Sequence, residues 1–175
     1  MKIEQLIKSK IERNYFFITG RVQMNAKYFI DEIEKGIRDE NNKSFQTNLV
    51  SEMTDWKYFL SNKKFIDVAL KFNDLVEQED LTEGKRWTLQ EAWGFKQSTG
   101  NYTQSHDHFP AMVSGAIMLN KHQQSLLFPE IKKELKCEPG NFVLFSSYLK
   151  HGNKRNLLDS CRYGLSFNYM NKYED

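Results

Sequence analysis

The chain has only two cysteines, Cys137 and Cys161, and their separation matches no metal or redox motif. A disulfide framework is therefore not indicated, and a reducing cytoplasm is the simpler expectation. No apolar run approaches the roughly 20 residues that a membrane helix needs. Met1 to Arg13 is charged and amphipathic, with neither the apolar core nor the cleavage site of a signal peptide. Charge of one sign is also missing. The net charge is +2 with 27% charged residues, interspersed along the chain, so there is no strong nucleic-acid footprint. Pairs such as Lys63-Lys64 and Lys132-Lys133 read as solvated helix or loop surface. No internal repeat, low-complexity tract or linker is found, and the 175 residues are expected to form one domain, 1–175.

What is present suffices for a core. Hydrophobic residues make up 39% and aromatics 14%, mostly Phe and Tyr, which suits strands and the packing between sheets. The two halves carry different rhythms. Between Asn25 and Arg38 the apolar residues Ala26, Phe29, Ile30, Ile33 and Ile37 recur at helical spacing, with Asn25 as cap. Phe65, Val68, Ala69, Phe72, Leu75 and Val76 repeat the pattern between Asn62 and Gln78, and Ile3, Leu6, Ile7 and Ile11 suggest a shorter helix. Thr47 to Phe59 has no clean period and reads as loop and short strand.

After Gly84 the period becomes two. Trp87, Leu89, Glu91, Trp93 and Phe95 alternate with smaller or polar residues. Ser98 to Asn101 is a turn signal, as is Glu138-Pro139-Gly140-Asn141. Strand-length apolar runs follow at Val113 to Leu119, Leu126 to Phe128, Phe142 to Phe145 and Arg162 to Tyr169. Helices over about 1–80, then short strands over about 85–170, predict an α+β fold whose β part is a sandwich or barrel.

Of four histidines, three stand where a metal site would use them. His106 and His108 are two apart, and in extended backbone both would point to one face. His151 follows the strand ending at Phe145. Such a set suits iron, zinc or copper, although a pair on a strand is by itself commonplace. Arg162 opens an apolar strand, where it either makes an ordinary salt bridge or forms a bidentate fork for a carboxylate. Glu91, on an apolar strand face, is a candidate to support a histidine. Trp93 and Phe95 are core or pocket wall, Tyr102 and Asn120 are ligand contacts or turn residues, and His122 is expected at the surface.

In order, Gly100-Asn101-Tyr102, His106-x-His108, Ser114 to Asn120, Phe128-Pro129-Glu130, Pro139 to Phe145, His151-Gly152, Arg162 and Ser166-Phe167-Asn168 form one block. From Thr88 to Tyr169 the chain resembles the iron(II)- and 2-oxoglutarate-dependent oxygenases, especially the small prolyl-hydroxylase-like and phage-type members. That resemblance implies a double-stranded β-helix, a jelly-roll or cupin-like core, with supporting N-terminal helices. It implies Fe(II) on His106, His151 and a third ligand, 2-oxoglutarate held by Arg162 with Tyr102, Asn120 and Asn168 near it, and O2 as oxidant. Most members carry Asp or Glu where this chain has His108, so either His108 or Asp107 completes the site, with His108 preferred. The implied reaction is hydroxylation of a C–H bond, of a protein or peptide side chain or of a small molecule, with succinate and CO2 as co-products. Two other readings stand beside it. One is a cupin-like three-histidine dioxygenase without a keto acid, which has no use for Arg162; the other is an inactive β-sandwich that binds a partner.

Overall fold

A computed structural model of the chain describes residues 15–39, 49–78 and 87–171. The short helix anticipated around Ile3 to Ile11 lies outside those residues. Both longer helices form as their spacing predicts. Helix α1 (Ala26–Arg38) starts where the Asn25 side chain accepts from the Tyr28 amide, and Phe29, Ile33 and Gly36 make its buried stripe. Helix α2 (Lys63–Gln78) starts where Asn62 accepts from the Phe65 amide.

The strands build two antiparallel sheets. The first contains β1 (Phe17–Arg21), β3 (Glu52–Met53), β4 (Trp87–Gln97), β6 (Val113–Met118), β9 (Asn141–Ser146) and β11 (Arg162–Asn171), in the order β1-β9-β6-β11-β4-β3. The second contains β2 (Leu49–Val50), β5 (Tyr102–His106), β7 (His122–Phe128), β8 (Lys133–Cys137) and β10 (His151–Asn153), in the order β2-β5-β10-β7-β8. This is the expected α+β architecture with a double-stranded β-helix core. The N-terminal part is less purely helical than its periodicity suggests, because β1, β2 and β3 come from it. No helix of the described residues is long and apolar enough to cross a membrane.

The large sheet packs apolar residues on both faces. Its outer face packs Ile117, Leu144, Leu165, Phe167 and Tyr169 under Phe65, Val68, Ala69 and Phe72 of α2. Phe72 stacks on Phe167 at 5.5 Å and meets Phe142 at 4.6 Å. Helix α1 closes on β4 because position 94 is glycine: a Cβ there would stand 2.3 Å from Cγ1 of Ile33. The inner face packs Trp93, Phe95, Met118, Val143 and Phe145 against Leu126, Phe128 and Leu135 of the second sheet.

Three expectations change. The alternation through β4 is not continuous: β11 pairs Asn168 with Glu91 and then Tyr169 with Leu89, so Gln90 is an extra residue. A bulge shifts the pleat by one. Trp87 and Leu89 consequently pack on the helix side with Ala92, while Trp93 and Phe95 face inward. Lys133, read as helix or loop surface, lies in edge strand β8, where Lys133 and Glu134 are exposed and Leu135 and Cys137 are buried. Charged side chains on an edge deter pairing with another chain. His122, expected at the surface, is buried because β7 begins with it and its Nε2 faces the Ser160 carbonyl at 3.3 Å.

Candidate metal centre and anion pocket

The inner faces of the two sheets enclose a cavity of about 560 Å³ that His106, His108, His151, Glu91, Asn168 and Arg162 line. His106 ends β5 and His151 begins β10, and the two are direct cross-strand partners. Their approach depends on Gly152, where a Cβ would stand 2.8 Å from the Thr103 carbonyl oxygen and force β10 off β5. His108 lies past the end of β5, where its amide donates to the Ser147 carbonyl at 2.7 Å. This anchor brings its ring between the other two. Nε2 of His108 is 3.2 Å from that of His106 and 3.1 Å from that of His151.

Every one of these rings has its other nitrogen occupied. Nδ1 of His106 donates to the Gln104 carbonyl at 2.8 Å, and Nδ1 of His151 to the Leu149 carbonyl at 3.0 Å. A carbonyl only accepts, so both protons sit on Nδ1. Nδ1 of His108 faces Oδ1 of Asn168 at 2.9 Å, another acceptor. Three Nε2 lone pairs therefore converge on one point. Burial pushes all three imidazoles toward the neutral form, His108 down to about 3, with like-charge repulsion from His106 next. Neutral imidazoles cannot relieve three facing lone pairs by sharing protons that are already committed. A cation relieves all three, and the residues fit one: the ligand atoms lie within 4.8 Å of one another. Trp93 against His108 and Phe128 against His151 wall the cluster with apolar rings.

Arg162, which lines the same cavity, is 1% exposed. Its Nη1 donates to Oε1 of Gln97 at 2.6 Å, Nε to Sγ of Cys137 at 3.0 Å, and Nη2 to Sδ of Met118 at 3.5 Å. Among the described residues it forms no ion pair. A buried guanidinium surrounded by an amide and two sulfur atoms lacks the anion that ordinarily compensates such a charge. A carboxylate entering the cavity would supply it, through the fork geometry that arginine presents.

Not all the anticipated residues gather here. Asp107 lines the cavity but is exposed and stands outside the three-histidine group, its Oδ1 accepting from the Phe109 amide at 3.2 Å. Tyr102 and Asn120 are not among the lining residues. Arg155 stacks over the Tyr102 ring at 4.9 Å. Asn120 donates to the Cys161 carbonyl and accepts from the Tyr163 amide, tying the chain after β6 to the start of β11. Asn168 does line the cavity, but its amide is engaged with His108 and Glu91. Gln97, absent from the sequence expectations, is fully buried and bonds Arg162, Thr103 and Asn153. The signal was available, since Gln97 falls two residues after Phe95 and four after Trp93 on the inward face.

No protein-family model and no curated protein sequence matches this chain. Solved structures do match. A viral collagen prolyl hydroxylase from Paramecium Bursaria Chlorella virus-1, in its 2OG complex, has a TM-score of 0.69 at 12% identity, over 90% of this chain and 96% of that one. A Pseudomonas putida prolyl-4-hydroxylase has a TM-score of 0.64 at 14% identity, over 90% and 93%. HygX from Streptomyces hygroscopicus, with nickel, 2-oxoglutarate and hygromycin B bound, has a TM-score of 0.61 at 14% identity, over 89% and 82%. The likeness is one of fold, and it extends over nearly the whole chain.

Proposed function

We propose that this chain, which has the fold of the iron- and 2-oxoglutarate-dependent oxygenases, also performs their chemistry. In this reading His106, His108 and His151 hold iron(II), and Arg162 receives the far carboxylate of 2-oxoglutarate. Bound iron with 2-oxoglutarate would supply activation of O2, one oxygen atom going to succinate as CO2 is lost and the other into a substrate C–H bond. The observation that carries the reading is the pairing of two unmet demands in one cavity: three convergent lone pairs and a buried guanidinium without an anion among the described residues. Trp93, Phe128 and Phe145 pack around the histidines and keep water away from the centre. The substrate proposed is a protein or peptide side chain. The rim supports this, because Phe109 beside His108 lines the cavity yet is 81% exposed and offers an apolar contact to a large substrate.

The all-histidine set also favours a second reading, a three-histidine dioxygenase that uses no keto acid. Arg162 argues against it, since such an enzyme would bury an uncompensated charge without using it. Anaerobic titration with iron(II) and then 2-oxoglutarate separates the two. The expected result is a visible charge-transfer band in wild type that is lost in His151→Ala and needs far more 2-oxoglutarate in Arg162→Ala. Iron binding with no band would move the keto-acid-free reading ahead, and no metal binding would end both.

A further inference from the structure

The three histidines are not held in the same way. His106 and His151 each donate from Nδ1 to a backbone carbonyl two residues earlier, Gln104 and Leu149, so their own strands set their proton positions. His108 depends on side chains. Its Nδ1 meets Oδ1 of Asn168 at 2.9 Å, and Nδ2 of the same amide donates to Oε2 of Glu91 at 2.7 Å. Ser114 donates to that Oδ1 as well, at 2.7 Å, and Asn168 is 3% exposed. Glu91 and Asn168 are cross-strand partners beside the β4 bulge.

From this arrangement we infer that Glu91 is a positioning residue for the metal centre: through Asn168 it fixes His108 in the Nδ1–H form and brings a negative charge to a ligand set that has none. The inference rests on the metal reading above and concerns how that site is built. Its logic is one of forced choices. A carboxylate only accepts hydrogen bonds, so the NH2 end of the Asn168 amide must face Glu91. The carbonyl end must then face His108, which places the ring proton on Nδ1 and leaves the Nε2 lone pair toward the cluster. Without the carboxylate the amide can turn round. His108 would then accept at Nδ1, carry its proton on Nε2 and cease to be a ligand. The relay also answers a charge question. The cluster is three imidazoles with no carboxylate among them, whereas Glu91 puts a full negative charge two hydrogen bonds from His108. Carboxylates behind ligating histidines orient the ring and raise its basicity.

The test measures Co(II) affinity, by visible absorption against a competing chelator, in wild type, Glu91→Gln, Glu91→Gln/Asn168→Asp and His151→Ala. It adds long-range 1H–15N NMR of His108 in the metal-free protein. Glutamine keeps the size of Glu91 and can still accept from Asn168, but it can also donate, which frees the amide to turn. Glu91→Gln should weaken Co(II) by about 10- to 100-fold and show a fraction of His108 protonated on Nε2. The double variant places a carboxylate directly on Nδ1 and should recover most of the lost affinity, a rescue that a merely structural tie would not give. Wild-type His108 protonated on Nε2 would overturn the inference without any variant having to fold. Co(II) binding that His151→Ala abolishes and Glu91→Gln leaves unchanged would overturn it while sparing the metal reading. No Co(II) binding by wild type would overturn both.

Discussion

The two faces of the large sheet are made by the same strands and do opposite work. On the outer face Phe65, Phe72, Ile117, Leu144 and Phe167 are each at most 2% exposed, and each is covered by the chain itself. Nothing there asks for a ligand. The inner face carries Trp93, Phe95 and Phe145 together with Glu91, Arg162 and Asn168, and the charge of Arg162 is left without a partner anion among the described residues. Period-two geometry makes this division possible, since neighbouring residues of one strand belong to different faces. Phe167 stacks under a helix while Asn168 reaches a candidate ligand. Stability is thereby concentrated on one side, and the other side is free to carry charge and convergent lone pairs that cost stability until something binds.

Substitutions should separate the two sides. The largest effect is expected outside. Phe72→Ala removes a ring packed on both Phe142 and Phe167 and leaves a cavity between α2 and the sheet, so it should cost about 3–5 kcal/mol. Co(II) affinity of the folded fraction should be unaltered. Urea unfolding with a parallel metal titration checks both halves, and a loss of metal affinity larger than the loss of stability would break the division. A smaller and opposite effect is expected inside. Arg162→Met removes a buried charge that has no partner anion among the described residues, which relieves several kcal/mol of desolvation. It also strands Oε1 of Gln97, a loss of about 1–3 kcal/mol. The first term is the larger, so the metal-free variant should be as stable as wild type or about 1–2 kcal/mol more stable. Its 2-oxoglutarate affinity should fall roughly 100-fold, the range for removing one member of a buried charge pair. A clear loss of stability would mean that Arg162 is structural.

The outer face was the more legible of the two in the sequence. Asn25 announced the start of α1, and Phe29, Ile33, Phe65 and Phe72 announced the buried stripes of both helices, because caps and spacing are local. Val113 to Leu119 read as a strand and forms β6, with all six strand residues buried. The inner face depends on contacts that sequence order conceals. Gln97, Met118 and Cys137, which surround Arg162, come from three different strands. The motif brought His106, His108 and His151 to notice, yet the opposition of His106 and His151 is a matter of register, which no local pattern encodes. The Gln90 bulge was hidden for a related reason. One extra polar residue leaves the apolar alternation looking intact while it moves Trp87 and Leu89 to the helix side. Strand β8 escaped because only Leu135 and Cys137 of its five residues face inward. Even so, Glu91 gave itself away as a polar position on an apolar stripe, and the same signal at Gln97 went unread.

The smallest effect probes a polar exception on the outer side. Glu34 of α1 accepts from the Tyr163 hydroxyl and pairs with Lys96 at 2.9 Å, joining α1 to β11 and β4. The Tyr163 hydrogen bond, opposed by burial and helped by Lys96, holds the Glu34 carboxyl below its ordinary value of 4.5. A depressed carboxylate contributes stability that is present above its unfolded value and is lost as pH falls through its folded value. Glu34→Gln should therefore cost about 0.5 kcal/mol at neutral pH, the scale of a partly exposed pair, and nothing once the medium is acidic enough to protonate Glu34 in both states. Urea unfolding at the two pH values gives the difference directly. If the cost persists in acid, Glu34 acts through packing and the outer face is apolar in its energetics throughout. If it vanishes while Co(II) affinity stays constant, the helix side holds its own charge pair closed within the chain, and uncompensated charge is confined to the cavity.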